Sequence, residues 1–106
     1  DFLGRIEFEM SPASGLEAGA AWTLRVYVVN EGKKAIRPQS VSLVTTVNGT
    51  RGGGPVASRA REIAPQARVL VAEASGTWAE GTTAWTAEAT VAAGKGDSLR
   101  NTLAWR

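Results

Sequence analysis

The stretch Ala21-Trp22-Thr23-Leu24-Arg25-Val26-Tyr27-Val28-Val29-Asn30-Glu31-Gly32 constrains the fold more than any other. Trp22, Leu24, Val26 and Val28 fall on alternate positions, so in an extended backbone all four point to one face. Thr23, Arg25 and Tyr27 take the other. The run is rich in β-branched and aromatic residues, which suit a pleated, half-buried surface. It stops at Asn30-Glu31-Gly32, where Asn and Gly tolerate the positive φ of a sharp reversal. The pattern predicts the central strand of a small all-β domain.

The same two-residue rhythm recurs along the chain. Ile6, Phe8 and Met10 alternate with Arg5, Glu7 and Glu9, giving a first strand with one wet face. Ser11 to Gly15, with Pro12, breaks it. A third strand covers Val41 to Val47, with Val41, Leu43 and Val47 inward. Asn48-Gly49 follows as a strong hairpin signal, because a type I′ turn needs positive φ at both central positions. Gly52-Gly53-Gly54-Pro55 reads as a floppy loop, and Arg59 to Ile63 as a short charged edge strand. Arg68 to Ala74 is a strand whose inward face is ambiguous. Thr83 to Val91 puts Trp85, Ala87, Ala89 and Val91 inward, Gly94 to Asp97 forms a hairpin tip, and Leu99 to Trp105 closes the domain. About seven strands with no convincing helix predict a single β-sandwich domain over 1–106, with a small closed barrel as the alternative.

Composition removes several kinds of chemistry. Cysteine and histidine are both absent. Disulfides, thiolate zinc sites, a Cys nucleophile, a Ser-His-Asp triad and His-ligated metals are therefore excluded within this chain. No cofactor is expected. The net charge of +2 does not call for a nucleic-acid partner. No apolar run is long enough to predict membrane insertion by a helix.

With the strands placed, a family pattern emerges. One strand ends in Val28-Val29-Asn30-Glu31-Gly32, Ile63-Ala64-Pro65-Gln66 opens a later one, Trp78 precedes a Gly-containing bend, and Asn101-Thr102 sits near the start of the last strand. Over nearly the whole chain this resembles the bacterial cell-adhesion-related domain (CARDB-like), and more loosely other bacterial immunoglobulin-like or fibronectin type III-like modules. Where that family has Gly after the Pro, this chain has Gln66. In place of its acidic residue and paired Asn before the last strand stand Asp97, Leu99-Arg100 and a single Asn101. The resemblance implies an all-β, immunoglobulin-like / fibronectin type III-like β-sandwich of about seven strands. It further implies a non-catalytic interaction or spacer module, part of a multidomain envelope or secreted protein and located outside the cytoplasm, with a protein or polysaccharide partner. A carbohydrate-binding module appended to an enzyme is the alternative.

Candidate ligand-binding residues are Trp78, Arg51, Arg59, Arg61, Lys95 and Asp97. Trp78, beside Glu80, is the tryptophan expected to be partly exposed, and exposed indoles can stack on sugars. Arg51, Arg59, Arg61 and Arg68 lie in a span whose single acid is Glu62, so a basic strip for nucleic acid, acidic polysaccharide or anionic lipid stands beside the favoured role of edge protection. No aromatic residues interleave them for base stacking. Lys95-Gly96-Asp97 resembles an integrin-type tripeptide at a hairpin tip. Glu7 and Glu9 share a strand face, as paired catalytic carboxylates would, but the clean alternation favours a solvated face. Asn48-Gly49-Thr50 matches an N-glycosylation acceptor.

Overall fold

The computed structural model describes residues 3–12, 17–94 and 96–105, and among these it has seven strands and no helix. The strands are β1 (Gly4–Ser11), β2 (Ala21–Asn30), β3 (Ser40–Val47), β4 (Thr50–Val56), β5 (Arg68–Thr77), β6 (Trp85–Ala92) and β7 (Ser98–Trp105). They form two sheets, β1-β2-β5 and β4-β3-β6-β7, with every neighbouring pair antiparallel. No strand is shared between them, so the arrangement is an immunoglobulin-like sandwich, three strands facing four, rather than a closed barrel.

The rhythm of apolar residues fills the space between the sheets. Leu24, Val26 and Val28 of β2 are fully buried, facing Val41 and Leu43 of β3 and Ala87, Ala89 and Val91 of β6. β5 resisted a face assignment for a physical reason. Its register against β2 slips between Val26 and Tyr27, and the irregularity turns two consecutive residues, Val71 and Ala72, into the core.

At one pole the tryptophans make an edge-to-face series. Ring centroids are 5.3 Å apart for Trp22 and Trp85, 5.7 Å for Trp85 and Trp105, and 5.0 Å for Trp78 and Trp105. The nearby β3–β4 turn is the expected two-residue reversal, with φ of 48° at Asn48 and 87° at Gly49. Asn48 also ties this turn to the β5–β6 loop. Its Oδ1 accepts from Thr83 N and Ala84 N, and its Nδ2 donates to Gly81 O at 2.9 Å. The nitrogen that glycosylation would modify is thus already engaged.

Three expectations change. The Gly52-Gly53-Gly54-Pro55 stretch is not a loop but the body of edge strand β4, because the tight turn sends the chain straight back along β3. Gly53 pairs with Val44 at φ 86°, and a Cβ there would collide with the Leu43 carbonyl oxygen. Arg59 to Ile63 is not a strand. It belongs to the crossover between the sheets, joined to the β2–β3 connection by a single bridge from Ile63 to Ile36. Asn30 is not a turn residue with positive φ; it ends β2 and is fully buried.

Candidate functional site

The pole opposite the tryptophans is organised by Asn30, which occupies the next inward position after Trp22, Leu24, Val26 and Val28. Its Nδ2 donates to Lys34 O at 2.8 Å and to Ile63 O at 3.0 Å, while Oδ1 accepts from Gly32 N at 2.9 Å. Its backbone N–H donates to Ala67 O and its carbonyl accepts from Gln66 N. One buried amide therefore fixes both the 31–39 connection and the 63–67 segment, with every polar atom paired. Gln66 holds the αL conformation, φ 66°, and its Nε2 donates to Glu31 O and Gly32 O.

Held in this way, the 31–39 connection meets the β6–β7 hairpin. Gln39 N donates to Ala92 O at 2.8 Å, and the hairpin closes through Ala93 N to Asp97 O and Asp97 N to Gly94 O, each 3.0 Å. In β-register, Ala92 lies between Ser40 on β3 and Ser98 on β7. A cleft of about 500 Å³ opens there, lined by Gln39, Ser40, Ala92, Gly94, Asp97 and Ser98. A neighbouring hollow of about 260 Å³ shares Gln39 and Asp97 and adds Lys34 and Arg37. Arg37 is paired with Glu62 at 3.0 Å. Among the described residues no group of three His, Cys, Asp or Glu side chains could hold a metal ion.

The two outer faces differ in character. On the three-stranded sheet, Glu9, Arg25 and Glu73 stand in one cross-strand row, with Arg25 3.5 Å from Glu9 and 2.9 Å from Glu73. Glu7 bridges Arg5 and Arg68, each at 2.8 Å, and Arg68 also lies 3.7 Å above the Tyr27 ring. Hydrogen bonds from Arg68 and then Arg5 hold the Glu7 carboxyl below its ordinary range. A general acid needs a shift the other way, so Glu7 on this open sheet is not poised as one. The outer face of the four-stranded sheet carries Ser42, Thr46, Thr86, Thr90 and Thr102 around Glu88.

The predicted site residues are dispersed. Arg51 is on β4, Arg59 and Arg61 are on the crossover, and Arg68 is on β5 in the other sheet, so they form no common strip. Arg59 reaches Glu73 at 3.4 Å; Arg51 and Arg61 are exposed. Trp78 is half-buried, as expected, but its ring is committed to Trp105 and its backbone to Ala20 and Gly19. Lys95 lies outside the described residues. Among the described residues, Asp97 is the one predicted residue that lines the cleft. Sequence reasoning missed Gln39, Ser40 and Ser98, because only the β3-β6-β7 register brings them together.

Each sheet edge carries a feature that interrupts or discourages pairing with another strand. Asn101 spans the seam between sheets, its Nδ2 donating to Ile6 O on β1 while its Oδ1 accepts from Thr102 N, both at 2.9 Å. Arg59 N donates to Val71 O, laying the crossover against β5. On β4, Pro55 lacks an N–H and the glycines depart from strand geometry, both of which discourage pairing.

Neither a protein-family model nor a curated protein matches the sequence. Solved structures do match. The E. coli curli protein CsgC is similar with TM-score 0.62 and 12% identity, over 94% of this chain and 97% of that one. R. palustris CsgH gives TM-score 0.54 and 16% identity, over 96% and 92%. The sporulation control protein Spo0M from Bacillus subtilis gives 0.55 and 14%, with 95% of this chain spanning 47% of that one. At such identities the likeness is one of fold.

Proposed function

We propose that this chain is a non-catalytic interaction and spacer module of a larger bacterial envelope or secreted protein, gripping a protein partner through the loops at the Asn30 pole. The observation that carries this reading is the contrast between sheet edges at which pairing is discouraged and the polar loop pole. With β-pairing discouraged along the edges, recognition falls to loops held on a rigid sandwich. Lys34 and Arg37 beside Asp97 give that pole charges of both signs. A spacer role draws support from the strand directions. β1 starts at the Asn30 pole and β7 finishes at the tryptophan pole of a body 44 Å long. Likeness in fold to a curli protein supports an envelope setting. The αL backbone of Gln66, where the cell-adhesion-related domain has glycine, supports that resemblance.

The test is retention of the purified chain on bacterial envelope preparations. Protease treatment of the envelope abolishes retention and periodate treatment spares it. The double variant Lys34→Glu/Arg37→Glu loses retention at least tenfold, whereas Arg51→Glu on β4 does not. Retention that survives protease but not periodate, or that is indifferent to the loop variant, overturns the proposal.

A further inference from the structure

The outer face of the four-stranded sheet carries charges that its own fold leaves unpaired. Val41 and Leu43 on β3 and Trp85, Ala87 and Ala89 on β6 point into the core, so Val44, Thr46, Thr86 and Glu88 point out. The register sets six outward positions in two rows. Arg51, Thr46 and Thr86 make one row, and Gly53, Val44 and Glu88 make the next. Arg51 and Glu88 therefore stand at opposite corners of a rectangle centred on β3, between Val44 and Thr46. With strands about 4.8 Å apart and about 6.6 Å between alternate residues, those corners are roughly 12 Å from each other. Among the described residues neither has an ionic partner, whereas Glu7, Glu9 and Glu73 on the other sheet are all bound to arginines. Beside the half-buried Val44, the run of glycines leaves a hollow of about 390 Å³ lined by Ser42, Val44, Arg51 and Gly52 to Gly54.

We propose that this face is an isologous docking surface for a second copy of the chain, with Arg51 of each copy paired to Glu88 of the other. A two-fold axis lying in the interface, through the centre of the rectangle and across its diagonal, exchanges the two corners. Both copies then satisfy their Arg51 and their Glu88 at once, and the residues at the axis, Val44 and Thr46, are small. The same operation carries Val44 over the Gly53 position of the other copy, into its glycine hollow. Thr46 falls against Thr86. A basic partner of another kind is repelled by Arg51 and Arg100 on this face, and an acidic one meets Glu88. Pairing Glu88 with Arg100 instead would put the axis at the β6–β7 margin, where little of the sheet overlaps. The match depends on the relative placement of Arg51, Val44 and Glu88, and not on the net charge of the face. Four strands of seven or eight residues cover about 26 by 19 Å, on the order of 500 Å² per copy. Standard interfaces bury about 800 Å² per partner, so this dimer is weak and reversible. The surface goes beyond the protein-binding reading and does not depend on it, because Lys34 and Arg37 lie on the connection at the Asn30 pole.

The experiment is sedimentation equilibrium of the purified chain from about 10 μM to about 1 mM, with ¹⁵N spectra followed on dilution. The expected result is a monomer–dimer equilibrium with concentration-dependent shifts at Gly53, Val44, Thr46 and Thr86. Arg51→Glu and Glu88→Arg each set like charges against each other at both pairs, and each weakens self-association at least tenfold. An equimolar mixture of the two single variants restores a dimer of parental affinity, because each reversed charge then meets its opposite. Val44→Lys, which brings two cations to the axis, abolishes the dimer and serves should a charge variant lose stability in thermal melts. No dimer at about 1 mM, shifts centred on the three-stranded sheet, a mixture that stays monomeric, or rescue of Glu88→Arg by Arg100→Glu in place of Arg51→Glu overturns the proposal. Envelope retention is measured at about micromolar protein, where the copies are apart, so it survives each of these failures and the two readings stand or fall separately.

Discussion

Asn30→Ala is the most informative perturbation of this fold. The substitution removes one of the two hydrogen bonds to the buried Ile63 O, which keeps its bond from Ile36 N, and strips the side-chain partner from Lys34 O and Gly32 N, which are part-buried. A buried polar group left unpaired costs about 1–3 kcal/mol, and groups that water can reach cost less. Assigning about 1 kcal/mol to the lost bond at Ile63 O and about 0.5–1 kcal/mol to each of the others gives a loss of about 2–3 kcal/mol. Against a total stability of roughly 5–15 kcal/mol the domain still folds, with Tm lowered by on the order of 10 °C. Urea unfolding followed by tryptophan fluorescence reads the loss directly. Asn30→Asp sharpens the test, because it keeps the shape and removes the donors. Burial and two facing carbonyl oxygens oppose the charge, so the introduced carboxyl titrates higher in the folded state than the ordinary value of about 3.9. Stability of this variant therefore falls as pH rises between those two values and recovers on acidification. A loss below about 1 kcal/mol for Asn30→Ala, or pH-independent behaviour of Asn30→Asp relative to the parent, would refute the role given to this amide.

Three further outcomes are expected. Gly53→Ala, forced against the Leu43 carbonyl at positive φ, loses about 2 kcal/mol or more, while Gly52→Ala, whose nearest neighbour is Thr45 Oγ1 at 3.9 Å, stays within about 0.5 kcal/mol; chemical denaturation separates them. Gln66→Gly exchanges two exposed hydrogen bonds for relief of the αL backbone and stays within about 1 kcal/mol of the parent, whereas Gln66→Val loses about 2 kcal/mol in thermal melts. The Glu7 carboxyl titrates below its usual value of 4.5, so its contribution is present above that value and disappears as pH falls through the lower folded pKa. Tm measured between pH 6 and pH 2 therefore drops less in Glu7→Gln than in the parent, and high salt narrows the difference.

Much of the sandwich could be read from residues alone, where apolar alternation and burial coincide. Trp22, Leu24, Val26 and Val28 on β2, and Trp85, Ala87, Ala89 and Val91 on β6, point inward as the two-residue period requires. β4 is illegible by periodicity because glycines carry no side chain to alternate; the two-residue turn at Asn48-Gly49 is the signal that places it, since such a turn sends the chain straight back along β3. Asn30 escaped because a polar residue beside Gly32 looks like turn chemistry. Its place as the next inward residue of the β2 series was the available clue. The cleft was the least legible part. Ser40, Ala92 and Ser98 lie on three strands, and only tertiary register sets them side by side.

The series of edge-to-face indoles has a practical consequence for anyone watching this protein in solution. All four chromophores crowd one extremity, close enough for excitation to pass among them and for their transitions to couple in circular dichroism. Their emission reports faithfully on whether the sandwich is assembled. Events at the far extremity, some seven β-residues or roughly 23 Å away along β6, leave that optical signal dark, so silence in fluorescence is no evidence that nothing has bound there.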